Sequence, residues 1–349
     1  MEVPLENDAP LVTVVIPAYN AEKTLERAIV SVLQEISIPL ELIVVDDGST
    51  DSTPRLIDAA AQVDKRVRRI SRPNGHVAAA CNTGIRAARG KYVAFLEADD
   101  EWLPGKLQKQ MDLLKARPEV QAVFCNFVNR DEVTGVRELL FDQQRRVFEA
   151  LPKIELNDQA AIIDGDLRPF LVRSNFILRS SLLVGLDVLL SLGGSDEELK
   201  GDDDWDLWFR MGGAVRFAYL RQALGIRHKL STSMSRPSPK WFEAVIKSRK
   251  KSLEMVKRTP ELSSLVQPLR RQLLLLHRSL IISHNQSWEW RQSWVAFGSA
   301  SKCGVDPVLW LLVATGFLGP IPFKLRRAVL SLVRGNGRQA HAAGANRRR

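Results

Sequence analysis

The sequence predicts an α/β protein: a mainly parallel sheet with helices on both faces, followed by a helical C-terminal extension. Three observations carry this. From Leu11 to about Val128, short β-branched runs alternate with stretches whose apolar residues fall at helical spacing. Three of the predicted strands end in polar clusters, which puts those clusters on the carboxyl edge of one sheet. Beyond Pro237 the strand period disappears and only helical spacing remains.

The elements follow in order. The run 11-LVTVVIP-17 is continuously apolar and of strand length, as a strand covered on both faces should be. In 22-EKTLERAIVSVL-33 the apolar residues recur at helical intervals. A second strand, 40-LELIVVD-46, precedes Asp51-Ser52-Thr53-Pro54, which offers N-cap residues and an early proline for a second helix. Val67–Ser71 is a weaker third strand and His76–Arg89 a helix of small residues. The fourth strand is 91-KYVAFLE-97, then a helix over Leu103–Arg117 and a strand 120-VQAVFCNFV-128. In the extension, Trp241–Arg258, Glu261–His284 and Trp288–Lys302 read as helices. The predicted organisation is a flexible 1–10, an α/β domain 11–236 in two halves (11–128 and 129–236), a helical 237–334 and a disordered basic tail 335–349.

Composition narrows the classes. A chain of 349 residues calls for a principal domain plus an addition. The net charge of +10 is concentrated late, in 247-KSRKK-251, 324-KLRR-327 and 347-RRR-349. Such runs suit solvated helix faces or an anionic membrane, and no nucleic-acid partner is expected. Cys81, Cys125 and Cys303 are too far apart for a metal or disulfide pattern, so a reducing compartment is expected. MEVPLENDAP lacks the order of a signal peptide. The apolar 308-VLWLLVATGFLGPIPF-323 is short for a span and broken by Gly and Pro. With the basic amphipathic 324-KLRRAVLSLVR-334 it forms either an interfacial membrane helix or a helical lid. The expected location is cytoplasmic, with peripheral contact at the inner face of the membrane as the first of these alternatives.

The chemistry is concentrated in 93-VAFLEADDEWLP-104, where a core strand runs into Glu97, Asp99 and Asp100. Like charges so close repel unless a cation sits among them. Pro17-Ala18-Tyr19-Asn20 and Asp46-Asp47-Gly48-Ser49 end the first two strands on the same edge, although Asp46–Ser49 read alone is also a good turn. Neither G-x-G-x-x-G nor a P-loop follows the first strand, so a phosphate ligand would need another holder. A divalent Mg²⁺ or Mn²⁺ on the late carboxylates fits, because both ions share ligands between carboxylates and substrate phosphates.

The segments 14-VVIPAYNAEKTLERAIVSVL-33, 43-IVVDDGSTDST-53, 73-PNGHVAAACNTGIRAARGKYVAFLEADD-100 and 202-DDDWDLWFRM-211 together resemble the inverting family-two glycosyltransferases of the GT-A fold. The resemblance covers about Leu11 to Arg236. It implies transfer of a sugar from a nucleotide-diphosphate sugar, a UDP-sugar favoured, to an acceptor hydroxyl on a glycan or lipid-linked substrate. Cell-surface polysaccharide or glycolipid assembly is the implied setting.

Position by position, the resemblance gives Pro17, Ala18, Tyr19 and Asn20 to the nucleotide and Asp47 to its base, with Asp46 beside it as a further donor-binding residue. Glu97-Ala98-Asp99 stands where the family has D-x-D, with Asp99 as the metal ligand and Glu97 beside it. Glu97 is a departure from the usual aspartate, and Cys81 stands where an arginine is frequent. His76 and Arg227 fall near the donor phosphates, and His228 is a second candidate metal ligand. Asp203-Asp204 aligns with the Glu-Asp motif, which makes Asp204 the catalytic base, Asp203 its support and Asp202 a helix cap. Two other classes compete: a nucleotide-sugar-binding module, which would lack the base, and a sugar nucleotidyltransferase, which needs a glycine-rich basic loop after the first strand.

Overall fold

The computed structural model describes residues 10–301 apart from 232, 234–235 and 287–288. It divides into two compact units at Arg236–Pro237. The apolar and basic segments at 308–334 lie outside the described residues. No described helix is long and apolar enough to cross a membrane.

The first unit is built on an eleven-stranded sheet. Its strands are β1 (Val12–Ala18), β2 (Leu40–Asp46), β3 (Val67–Ser71), β4 (Tyr92–Phe95), β5 (Glu101–Trp102), β6 (Ala122–Asp131), β7 (Arg137–Leu139), β8 (Lys153–Asn157), β9 (Ala160–Ile163), β10 (Leu183–Gly185) and β11 (Phe217–Lys229). They lie in the order β3-β2-β1-β4-β10-β6-β11-β9-β8, with β5 on β11 and β7 on β6. The half from β3 to β4 is parallel throughout. The half beyond β4 is mixed: β10 runs antiparallel to both neighbours, while β6 and β11 are parallel.

The helices of this unit are α1 (Leu25–Leu33), α2 (Thr53–Val63), α3 (His76–Ala87), α4 (Lys106–Ala116), α5 (Leu140–Gln143), α6 (Arg145–Ala150), α7 (Arg168–Leu171), α8 (Leu186–Ser191) and α9 (Asp203–Met211). All seven residues of β1 and of β2 are buried, which is why neither sequence alternates polar with apolar. α3 lies on β1 so closely that a Cβ at Gly84 would come within 2.3 Å of Val15 Cγ1. The small-residue character of that helix is a packing requirement. In the mixed half, Phe124, Phe141, Phe148, Phe176 and Tyr219 form one aromatic cluster with centroids 3.9–6.4 Å apart.

The second unit is helical: α10 (Pro239–Lys257), α11 (Val266–Gln286) and α12 (Trp290–Ser301), with a 3-10 segment Pro260–Leu265 between the first two. Ser238 caps α10 by accepting from Trp241 N. Val245, Leu253, Leu269, Leu273, Ile281 and Ala300 form its buried face.

Candidate active site

Strand register brings the polar clusters together. Ala18 pairs with Asp46, and Val15 with Phe95, so the residues after β1, β2 and β4 emerge level with one another. They open on a cleft of about 860 Å³. Its lining includes Pro17, Ala18, Tyr19, Asn20, Asp47, His76, Glu97, Ala98 and Asp99. Nine of the expected donor-side residues therefore share one cavity wall. Lys200 and Gly201, just before α9, line it too.

The carboxylates at the end of β4 are sorted by their surroundings. Asp100 is buried, accepts from Ser180 Oγ at 2.6 Å and takes the His228 backbone N–H at 3.3 Å. Burial and the adjacent Asp99 charge push its carboxyl up to about 8. Asp100 is thus tied into the fold. Asp99 is half-buried and turned to the cleft, its backbone carbonyl held by Arg27 Nη2 at 2.7 Å. Burial raises its pKa. Glu97 is pushed up to about 7 by burial, against the lowering effect of Arg179; Asp99, Asp203 and Asp204 raise it further. An acid group this crowded gains from a cation.

Among the described residues no three His, Cys, Asp or Glu side chains converge into a metal cage. What the chain offers is Asp99 with Glu97 two residues before it, facing a cleft roomy enough for a ligand that brings its own oxygens. That donor set suits Mg²⁺ or Mn²⁺ shared with a phosphate and does not suit an all-protein site. His228 stands near enough for its charge to lower Asp99. Its Nδ1 lies 2.5 Å from Glu132 Oε1 and its Nε2 3.1 Å from Glu101 Oε1, two carboxylates that sequence spacing does not pair with it.

Other expected residues fall into two groups. Tyr19 is 52% exposed, an aromatic face standing free at the cleft. Asp47 is buried and accepts from Gly75 N at 3.0 and 3.2 Å while pairing with Arg72 Nε at 3.3 Å. Burial raises its pKa, and those partners oppose the rise. Asn20 ties the β1 end to the β2 end through Thr50 N at 2.8 Å. His76 heads α3 with φ +68°. Asp46 is outside the cleft: it is buried, and its Oδ1 takes Ser49 N at 3.0 Å, which is the turn role. Arg227 also stands outside the lining, although its charge lowers both Asp99 and Asp100.

Asp203 and Asp204 open α9 and are not part of the cleft wall, but Gly201 is. Asp203 is buried and bonded to Arg179 Nη2 at 2.8 Å. Asp204 is half-buried; Oδ1 accepts from Trp205 N at 2.7 Å, and Asn175 Nδ2 stands 3.4 Å from Oδ2. Trp205 and Trp208 anchor the helix by donating to Leu171 O and Ile177 O. Asp202 has φ +60°, and its side chain makes no capping bond. A left-handed N-cap points its carboxylate away from the first-turn N–H groups, so the capping expectation fails there.

Arg179 and Ser180 were missed by sequence reasoning. They lie in a 3-10 turn, Arg179–Ser181, whose only sequence signal is a lone charge inside the apolar 176-FILRSSLL-183.

Residues 13–176 match the profile of glycosyl transferase family 2. The chain carries a family-two glycosyltransferase domain. Putative glycosyltransferase EpsH of Bacillus subtilis is 27% identical over 93% of this chain and 92% of its own length. An uncharacterized glycosyltransferase of Rickettsia prowazekii is 30% identical over 58% of each chain, so this chain spans little more than half of that relative. Among solved structures, residues 1–349 of S. aureus TarS in complex with UDP-GlcNAc superpose with a TM-score of 0.56 at 18% identity, over 93% of this chain and 92% of that one. At that identity the likeness establishes the GT-A fold.

Proposed function

We propose that this glycosyltransferase moves a sugar from a nucleotide-diphosphate sugar, a UDP-sugar by preference, to a hydroxyl of a glycan or lipid-linked acceptor, with inversion. One observation carries the reading: Tyr19, Asp47 and Glu97-Ala98-Asp99 line a single cleft whose rim leads directly into the acids of α9.

In this reading the exposed ring of Tyr19 offers a flat surface to the base, and Asp47 keeps lone pairs for it beyond those used by Gly75 and Arg72. Asp99, with Glu97 beside it, would hold a divalent cation. When bound, that cation supplies Lewis-acid compensation for the charge growing on the departing diphosphate. Asp204 accepts the proton of the acceptor hydroxyl as its oxygen attacks the anomeric carbon. A positioned carboxylate in that role is worth roughly 10²–10⁴-fold. The nucleotide leaves from the opposite face, so configuration inverts and no covalent glycosyl-enzyme forms. Support also comes from TarS, which shares the fold and was solved with UDP-GlcNAc.

The test is nucleotide release from a panel of UDP-, GDP- and dTDP-sugars, with Mn²⁺, with Mg²⁺ and with chelator. Release from at least one donor that disappears on chelation is expected. Donor binding without release under any condition would favour the binding-module reading.

A further inference from the structure

Arg179 is 7% exposed, and three edges of its guanidinium meet three different elements. Nε faces Glu97 Oε1 at 3.4 Å, after β4. Nη2 donates to Asp203 Oδ2 at 2.8 Å, at the start of α9. Nη1 donates to Cys81 Sγ at 3.1 Å, in the middle of α3. We propose that Arg179 is a positioning residue that fixes the donor-side acid pair relative to the acceptor-side acid pair, resting on the glycosyl-transfer reading above.

The geometry is particular. Arg179 bonds neither Asp99 nor Asp204. It holds the neighbour of each: Glu97, two residues before the candidate metal ligand, and Asp203, one residue before the candidate base. A guanidinium is a rigid planar fork, so two carboxylates bonded to different edges are held at a set separation. Lysine, with a point charge on a flexible stem, cannot impose that. Cys81 supports the arrangement by being small. Its thiol, pushed up to about 12 by burial, is a neutral neighbour, and a longer side chain there would compete for the space of the guanidinium.

A merely structural ion pair would be felt as stability. A positioning residue should be felt in turnover, since misplacement by about 1 Å can cost on the order of 10²-fold. The experiment compares the full chain with Arg179→Gln, Arg179→Lys and the relocated pair Cys81→Arg/Arg179→Ala. It measures kcat and KM with the nucleotide sugar that the parent turns over, calorimetric binding of UDP with Mn²⁺, and the thermal midpoint.

Arg179→Gln is expected to lose roughly 10²-fold in kcat while donor KM and UDP affinity stay within about threefold. Arg179→Lys should recover less than about tenfold of that loss, and the relocated guanidinium at least about tenfold. Parental kcat in Arg179→Gln would overturn the proposal. So would parallel losses of kcat, UDP binding and thermal midpoint that relocation leaves uncorrected. Should Arg179→Gln fail to fold, the relocated pair decides: folded, UDP-binding and inactive is the contrary result. Asp204→Asn serves as the separate check on the reading beneath. If it transfers at the parental rate, glycosyl transfer by these acids is wrong, and this inference goes with it.

Discussion

Asn175 Nδ2 stands 3.4 Å from Asp204 Oδ2, while Asn175 Oδ1 is buried with no hydrogen-bond partner among the described residues. An orphaned buried acceptor normally costs about 1–3 kcal/mol. The pair gives the start of α9 a polar corner, and the predictions begin there.

Asp204→Asn keeps size and much of the hydrogen bonding but removes the ability to take a proton near neutral pH. Single-turnover transfer should fall by on the order of 10²-fold or more, with UDP binding unchanged. A parental rate here combined with a dead Asp203→Asn would shift the base by one residue.

Asp99→Ala removes the cleft-facing acid and leaves Asp100 to hold the strand end through Ser180. Calorimetric titration of UDP should lose its Mn²⁺-dependent part, while the thermal midpoint without metal stays within a few degrees of the parent. Mn²⁺-dependent affinity equal to the parent's would remove the metal role.

Glu41 supplies a pH test remote from the cleft. It is buried at the start of β2 and accepts from Thr13 Oγ1 at 2.8 Å, Arg89 N at 2.7 Å and Arg89 Nε at 3.0 Å. Burial pushes its carboxyl up, but these bonds outweigh burial and the net pKa is lowered. A folded-state pKa below the unfolded one gives stability that is present in full above the unfolded value. It is lost as pH falls through the folded value. Denaturant unfolding should therefore show a Glu41 contribution above about pH 5 that fades on acidification. Glu41→Ala leaves Thr13 Oγ1 and Arg89 N without their acceptor and should cost about 1–3 kcal/mol at pH 7, flattening that acid slope.

Asp202 sits in the left-handed region at φ +60°, where a Cβ is unfavourable by about 1–2 kcal/mol, less for Asp and Asn. Asp202→Gly should be more stable than Asp202→Ala by about 1 kcal/mol, because only the glycine escapes the left-handed penalty. Transfer should survive both. A large loss of stability on Asp202→Gly would show that the side chain, and not the backbone, carries the residue's role.

By itself the sequence determined the periodic half of the protein. Runs such as Val12–Ala18 and Leu40–Asp46 are legible as buried strands because a strand covered on both faces must be apolar at every position. Once those strands are parallel, their polar ends must share an edge, and so Tyr19, Asp47, Glu97 and Asp99 could be grouped without coordinates. Tertiary structure decided how that edge is wired. Which of Glu97, Asp99 and Asp100 stays open to the cleft depends on Ser180, eighty residues away, taking Asp100. Whether His228 is available depends on Glu101 and Glu132. Arg179 has meaning only where Cys81, Glu97 and Asp203 converge. Local propensity and periodicity act over a few residues, whereas these bonds are set by aperiodic turns that long-range packing places against one another. No spacing rule encodes them.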